Sequence, residues 1–149
     1  MARFEDWLTD RGLEIQVRTC PAGTRTAEDA ARAIGCEVAQ IVKSLVFTAD
    51  GSPLIALVSG GNRLDTRRLE ALTGGRVAKA DAEVARRATG YAIGGVPPFG
   101  HATALPVYMD RDLERHDVVW AAAGRPDTVF SIAPGRLAEL SAARVEELA

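Results

Sequence analysis

Apolar residues recur along the chain with helical spacing in some segments, and most of these segments begin at a residue that suits a helix N-terminus. Thr26, followed three residues later by Asp29, has the pattern of a side-chain cap, and Gly35 suits the end of that helix. Five helices are predicted: one around Phe4, Trp7 and Leu8 that stops at Gly12, one from Thr26 to Gly35, one capped by Asp65, one capped by Asp81 that ends before Gly90, and one that starts at Pro134.

Other segments alternate or are continuously apolar, which predicts strands. Residues 41–48 and 53–59 are two apolar runs joined by Asp50-Gly51, a strong signal for a hairpin. Further strands are predicted at 13–20, 76–79, 105–110, 117–123 and 127–132. Helices and strands interleave irregularly, with hairpins among them. This order favours one α/β domain with a mixed sheet, open or closed as a barrel, over a doubly wound parallel sheet.

One charged residue stands out in this pattern. Lys43 lies near the start of the apolar strand "IVKSLVF", and the chain has only one other lysine, Lys79. In one interpretation the lysine stem packs on apolar neighbours while its ammonium group reaches water. In the other, the ammonium group is a fixed cation at the floor of a pocket, where it holds a phosphate or polarises a carbonyl.

The segment 89–101, "TGYAIGGVPPFGH", is the second candidate feature. Gly94 and Gly95 allow a ligand to approach the backbone and its N–H groups, and the two prolines restrict the path of the loop. A structural crossover loop is the alternative interpretation. Gly124, after the strand "VVWAAAG", is a similar glycine.

Composition narrows the class of protein. The chain has 149 residues, 47% hydrophobic and 26% charged, with a formal net charge of −2. This charge argues against a protein that coats DNA or another long nucleic acid, but allows one that grips a short nucleic-acid end. Cys20 and Cys36 are far apart, and no signal peptide or membrane-spanning segment is apparent, so a cytoplasmic protein without a membrane partner is expected.

Common catalytic motifs are missing. The sequence has no Gly-x-Ser-x-Gly elbow, no phosphate-binding GxxxxGK[ST] and no GxGxxG after a strand. His101 and His116 are separated and are predicted to be ordinary surface histidines, and Cys20 to be a buried structural thiol. Since the metal-binding residue types do not cluster, no metal or other cofactor is predicted.

Taken together, several segments resemble the YbaK/EbsC-like family, also called the aminoacyl-tRNA deacylase or prolyl-tRNA synthetase-associated editing-domain family. They occur in the family's order and spacing and cover nearly all of residues 1–149: "IVKSLVF", "NRLDTRRLEALTGG", "ATGYAIGGVPPFG", "LPVYMD" and "AAAGRPDTVF". The resemblance implies a single α/β domain with a mixed, mostly antiparallel, barrel-like β-sheet and surrounding helices.

The resemblance also implies an activity, namely hydrolysis in trans of the ester that joins a wrong amino acid to the 3′ end of a tRNA, with an aminoacyl-tRNA synthetase as a further potential partner. By the same resemblance, Lys43 is the catalytic lysine near the terminal adenosine and its phosphate, and Gly94, Gly95 and Gly124 line the pocket for the aminoacyl group. With Ala122 nearby, this pocket is expected to take a small amino acid such as alanine, serine or cysteine.

Two positions depart from patterns within the family. Members that clear cysteine carry a serine two places before the later glycine, where this chain has Ala122. Relatives that clear alanine tend to have Asn after the lysine, where this chain has Ser44. The amino acid removed therefore stays open. Two other functions also stay open: a non-catalytic module that binds a nucleotide-like ligand or a synthetase, and a hydrolase of small esters or thioesters.

Overall fold

The computed structural model describes residues 4–20 and 26–149, which contain five α-helices, eight β-strands and two short 3₁₀ turns. The helices are α1 (Phe4–Asp10), α2 (Ala27–Ile34), α3 (Thr66–Thr73), α4 (Ala82–Thr89) and α5 (Pro134–Ser141). The strands are β1 (Arg18–Thr19), β2 (Val42–Ala49), β3 (Ser52–Ser59), β4 (Val77–Lys79), β5 (Val107–Asp110), β6 (Val119–Ala122), β7 (Thr128–Ile132) and β8 (Arg144–Glu146).

The helices begin at the capping side chains that the sequence supplies. The Thr26 hydroxyl accepts a hydrogen bond from the Asp29 N–H at 3.1 Å, and Gly35 ends α2 in the left-handed region with φ 86°. Asp65 and Asp81 cap α3 and α4 in the same manner. The predicted caps are confirmed because they depend on local hydrogen bonds that need no tertiary partner.

Two sheets form the centre of the fold. One has the order β4-β2-β3-β5-β8, with antiparallel pairs among β4, β2 and β3 and parallel pairs among β3, β5 and β8. The other is antiparallel, in the order β1-β7-β6. The predicted hairpin is confirmed between β2 and β3, where Asp50 and Gly51 both have positive φ, as a type I′ turn requires.

The sheets do not close into a barrel, so the barrel-like expectation is wrong. They meet at one isolated bridge, between Ile41 and Trp120. On the other side of this opening, β4 pairs only with residues 47–49 of β2. Residues 43–45 therefore pair with β3 but with no strand on their opposite edge within the described residues. We call this unpaired stretch the seam; the loop at 93–96 and two cavities lie beside it.

The loop after α4 is anchored below the seam by aromatic packing. The Phe99 ring lies 5.4 Å from Phe4 and 5.7 Å from Phe130, measured between ring centroids, and all three rings are buried. Gly100 passes so close to Trp7 that an ideal Cβ would lie 3.0 Å from the indole. These contacts fix one end of the Gly/Pro segment to α1 and β7.

Two strands differ from the sequence prediction. Of the predicted strand 13–20, only Arg18–Thr19 pairs with another strand, although Leu13, Ile15 and Val17 do pack on the core. Strand β8, at Arg144–Glu146, was not predicted, because its short polar sequence forms a strand only by parallel pairing with β5. In the described residues, no helix is long and apolar enough to cross a membrane.

Candidate active site

Strand β2 sends Lys43 and Ser44 to opposite faces of the sheet. Val42 and Val46 lie in the main core, whereas Leu45 packs on a second cluster that includes Ala56 and Val58. Because side chains alternate along a strand, Ser44 shares the core face with the two valines and Lys43 shares the face of Leu45. The cation and the hydroxyl thus flank the same short length of backbone.

The backbone of Ser44 faces the seam. The Gly60 N–H donates to the Ile41 carbonyl on the β3 side of β2, at 2.7 Å. The Ala80 N–H donates to the Val46 carbonyl on the opposite side, at 3.1 Å. Since the hydrogen-bonding direction alternates from residue to residue in an antiparallel strand, the N–H and C=O of Ser44 point to the unpaired edge. A ligand in the seam therefore meets a free edge of β2.

Two cavities meet at this edge. The first, of about 720 Å³, has Lys43, Arg63 and Lys79 on its walls and is called the cationic cavity. The second, of about 310 Å³, is lined by Trp120 and by four alanines and is called the alanine-lined cavity; the alanines are Ala27, Ala30, Ala121 and Ala122. Both cavities share the walls formed by Lys43, Ser44, Leu45, Ile93 and Val96.

The ammonium group of Lys43 is held by a backbone carbonyl. Its Nζ donates to the Asn62 carbonyl at 2.5 Å, which leaves two N–H donors for a ligand. Burial lowers the pKa of Lys43 below its usual value, and the negative charges of Glu28 and Asp110 partly oppose this shift. The half-buried, oriented ammonium group favours the pocket interpretation of Lys43 over that of a strand lysine whose head reaches open water.

The hydroxyl of Ser44 has no hydrogen-bond partner among the described residues. In the described residues its Oγ is the only buried side-chain oxygen or nitrogen without one. A buried hydroxyl without a partner destabilises a fold by about 1–3 kcal/mol, so such groups are rare and often functional. Ser44 lines both cavities, so a ligand there would lie beside this residue.

The three predicted glycines do not surround one cavity. Gly94 is exposed, has φ 96° and lines the alanine-lined cavity. Gly95 is buried, and its N–H already donates to the Ala92 carbonyl at 3.0 Å. Gly124 lines a separate cavity of about 280 Å³ beside Tyr91, and Pro126 lies on the walls of both. Ala122 faces the alanine-lined cavity, whereas Ala123, the next residue along the chain, faces the Gly124 cavity.

The remaining candidates have structural roles. His101 is not an ordinary surface residue: its Nε2–H donates to the Pro97 carbonyl at 2.7 Å, and burial lowers its pKa. Cys20 is buried, as predicted. Within residues 4–20 and 26–149, no group of three His, Cys, Asp or Glu residues is arranged to hold a metal ion.

Comparison with known proteins assigns the family. The sequence profile described as aminoacyl-tRNA editing domain matches residues 21–140, most of the chain. The chain belongs to this family. A crystal structure reported as a candidate trans-editing enzyme for prolyl tRNA synthetase is 48% identical to this editing domain, with a TM-score of 0.92, and the match covers 97% of this chain and 92% of that one.

Two curated relatives of the editing domain differ in length. The uncharacterized protein YwhH of Bacillus subtilis (strain 168) is 32% identical over 143 residues, which cover 95% of this chain and 88% of that protein. The proline–tRNA ligase of Citrifermentans bemidjiense is also 32% identical, over 116 residues, which cover 76% of this chain but only 20% of the ligase. The editing domain thus resembles both a protein of similar length and one segment of a much longer synthetase.

Sequence reasoning missed three polar residues around Lys43 in this editing domain. Ser44 was noted only as a departure from the family pattern, and its unpaired hydroxyl depends on packing. Asn62 and Asp110 lie 19 and 67 residues after Lys43 in the chain, so no local pattern connects them to it. Asn62 belongs to the motif "NRLD" and Asp110 to the motif "LPVYMD", but neither motif predicts a hydrogen bond between the two residues.

Proposed function

We propose that this editing domain hydrolyses, in trans, the ester between a small amino acid and the 3′ end of a mischarged tRNA. The observation that carries the proposal is the junction at β2, where Lys43 and the free backbone edge of Ser44 separate a cationic cavity from an alanine-lined one. An aminoacyl-tRNA end has the same two-part character, since an anionic nucleotide and an amino acid meet at one ester.

The two cavities suggest how the substrate is divided. The terminal adenosine and its phosphate take the cationic cavity, where Arg63 and Lys79 add positive charge to that of Lys43. The aminoacyl group takes the alanine-lined cavity. That cavity also receives the α-amino group and part of the ribose, so little of its 310 Å³ remains for a side chain. This supports a preference for a small amino acid.

Hydrolysis at the junction needs donors for the oxyanion that forms as the ester is attacked. In this proposal, water adds to the carbonyl carbon, the bond to the ribose oxygen breaks, and the ribose oxygen takes up a proton. The free N–H groups of Lys43 and the N–H of Ser44 stabilise the negative charge. The N–H of Gly94, which has no partner among the described residues, is a further candidate donor.

A strong general base is not apparent at the junction. Asp65 lines the cationic cavity, but its hydrogen bonds with Arg67 lower its pKa, which makes the carboxylate a weak base. An aminoacyl ester is already activated, so orientation of the attacking water and stabilisation of the oxyanion supply the catalysis. The substrate itself can supply the attacking group in place of free water.

Binding of the tRNA beyond its 3′ end is expected to be weak. The net charge of −2 gives little release of counterions from the phosphate backbone. Delivery by a prolyl-tRNA synthetase would supply the missing affinity. The relative found within a proline–tRNA ligase supports this choice of partner.

A panel of mischarged tRNAs tests the proposed function. We expect the protein to deacylate tRNA charged with alanine, serine or cysteine faster than tRNA charged with leucine or phenylalanine, because the alanine-lined cavity limits side-chain size. Release of the radiolabelled amino acid, corrected for spontaneous hydrolysis, is the measurement. Faster turnover of the phenylalanyl or leucyl ester would contradict the size preference.

The same panel separates the alternatives. Binding without turnover of any charged tRNA would favour the non-catalytic module. Hydrolysis of small free esters or thioesters, with no activity on tRNA, would favour a hydrolase of small esters or thioesters.

Replacement of Ser44 by alanine tests the junction from its other face. The substitution removes a buried hydroxyl that has no partner, so the melting temperature should stay the same or rise. If the hydroxyl binds the substrate, kcat/KM should nevertheless fall about tenfold, the factor that corresponds to one ordinary hydrogen bond. Thermal unfolding and deacylation are measured on the same sample. A lower melting temperature with unchanged kcat/KM would show that the hydroxyl stabilises the fold instead.

A further inference from the structure

A chain of hydrogen bonds connects Lys43 to a buried carboxylate on another strand. The Asn62 carbonyl accepts from Lys43 Nζ, and the side chain of the same asparagine donates to two carboxylates. Its Nδ2 lies 2.9 Å from Asp110 Oδ2 and 2.8 Å from Asp112 Oδ2. Both N–H groups of the amide are therefore used, and the turn that carries the carbonyl is fixed from the side of β5.

Within this series of hydrogen bonds, Asp110 is buried and accepts several hydrogen bonds. It is only 2% exposed and ends β5, where its Oδ2 also accepts from the Ser59 N–H at 3.0 Å and its Oδ1 accepts from the Asp112 N–H at 3.0 Å. Among the described residues it forms no ion pair, unlike Asp112, which pairs with Arg115. A buried carboxylate is costly unless its hydrogen bonds and nearby charges compensate it, so this charge needs a reason.

We propose that Asp110 is a positioning residue that acts through Asn62 to hold the Lys43 ammonium group at the junction of the two cavities. Together with Asp112, the Asp110 carboxylate sets the orientation of the Asn62 amide, and the amide sets the position of the carbonyl that Lys43 contacts. Asp110 does not touch the substrate. The catalytic part of this inference rests on the proposed function, whereas the link between Asp110 and Lys43 does not.

Several charged groups act on Lys43, and their signs matter for the test. Glu28 on α2 and Asp110 favour the charged form, and burial opposes it. Arg63, Asp65 and Lys79 line the same cavity. Removal of the Asp110 charge leaves the effect of burial less opposed, so the pKa of Lys43 should fall further. The ammonium group would then lose its proton at a lower pH than in the wild type.

The two lysines of the chain make this measurable without a substrate. Lysine labelled with ¹³C at Cε gives one signal from Lys43 and one from Lys79, and each signal reports the titration of its amine. In Asp110→Asn we expect the Lys43 titration to move to lower pH, with the Lys79 signal as an internal reference. Asp112→Asn is the matched control, because it makes the same isosteric change at the other acceptor of Asn62, whose charge is not among the groups that shift Lys43.

Asn62→Ala supplies the second arm; it leaves the Asp110 carboxylate in place and removes one of its hydrogen bonds. It keeps the carbonyl that Lys43 contacts but removes the amide that holds it. We expect greater mobility of the Lys43 Cε in NMR relaxation, and a fall in kcat of about 10- to 100-fold, by analogy with the loss of partners that orient metal-binding side chains. If Asp110→Asn does not fold, this arm still tests the Asn62 link through which Asp110 is proposed to act.

The outcomes are distinct. Unchanged Lys43 titration in folded Asp110→Asn, or unchanged Lys43 mobility and kcat in Asn62→Ala, would overturn the inference. If the wild type deacylates no charged tRNA, the proposed function fails, while the Lys43 titration and mobility still decide whether Asp110 holds the lysine.

Discussion

Replacement of Lys43 by alanine should lower kcat/KM for deacylation about 100-fold or more, with little change in melting temperature. The ammonium group lies at the junction of both cavities and has two N–H donors left for a ligand. Loss of one oriented, charged donor at a developing oxyanion has an effect of this size. The measurement is single-turnover and steady-state deacylation of a charged tRNA that the wild type clears.

Lys43→Arg is the sharper variant. It keeps the positive charge but replaces a compact ammonium group by a planar guanidinium with a different reach. We expect it to recover only a small part of the lost activity, because the Asn62 carbonyl holds the lysine nitrogen at one position. Arg136→Ala is a suitable control for net charge, since Arg136 is exposed on α5 and lines none of the three cavities described above. Near-wild-type activity of both Lys43 variants would remove this lysine from the site.

Gly95→Val should reduce the free energy of unfolding and the activity together. An ideal Cβ at Gly95 would lie 2.9 Å from the Arg125 Cα and 3.0 Å from the Arg125 carbonyl carbon and nitrogen. The backbone at 124–126 must therefore move, and overpacking of this kind destabilises by about 1–3 kcal/mol. Activity should also fall, because Pro126 in that segment lines the alanine-lined cavity. Urea unfolding and kcat/KM at low temperature are the measurements.

Gly135→Ala is the matched control for this substitution. An ideal Cβ at Gly135 meets no atom within 4 Å, and the residue lies inside α5, where alanine is favoured over glycine by up to about 1 kcal/mol. This variant should be as stable as the wild type or more so, with unchanged activity. A Gly95→Val protein that unfolds at the wild-type urea concentration would show that the two loops separate without cost, against the packing argument.

Much of the fold was predictable because its signals are local. Thr26, Asp65 and Asp81 cap helices through hydrogen bonds that span two or three residues, and Asp50-Gly51 favours its turn through backbone angles alone. Strand β8 was not predictable in this way, since Arg144–Glu146 has no apolar alternation and is a strand only where β5 pairs with it. Closure of the sheet was mispredicted for the same reason. Pairing of β2 with β6 is a long-range contact that the sequence of neither strand specifies.

The candidate site was predicted in part. Lys43 was found from its rarity and its place in an apolar strand, and the structure adds its neighbours at the junction. The sequence predicts one pocket for the three glycines, but their environments differ: Gly94 is exposed beside a cavity, whereas Gly95 is buried against the backbone of Arg125. Because Gly94 and Gly95 are identical and adjacent, the sequence does not show which of them contacts another segment of the chain.

The sequence alone determined the helices and their caps, the β2–β3 hairpin, and the choice of Lys43 as the cation of interest. Each of these depends on the residue itself or on neighbours a few positions away. Three features needed the folded chain: the sheets stay open at residues 43–45, the Ser44 hydroxyl has no partner among the described residues, and Asp110 reaches Lys43 through Asn62. These features depend on segments that are far apart in the chain, such as Asn62 and Asp110 at 19 and 67 residues after Lys43, whose approach is set by packing of the whole core and not by any local pattern.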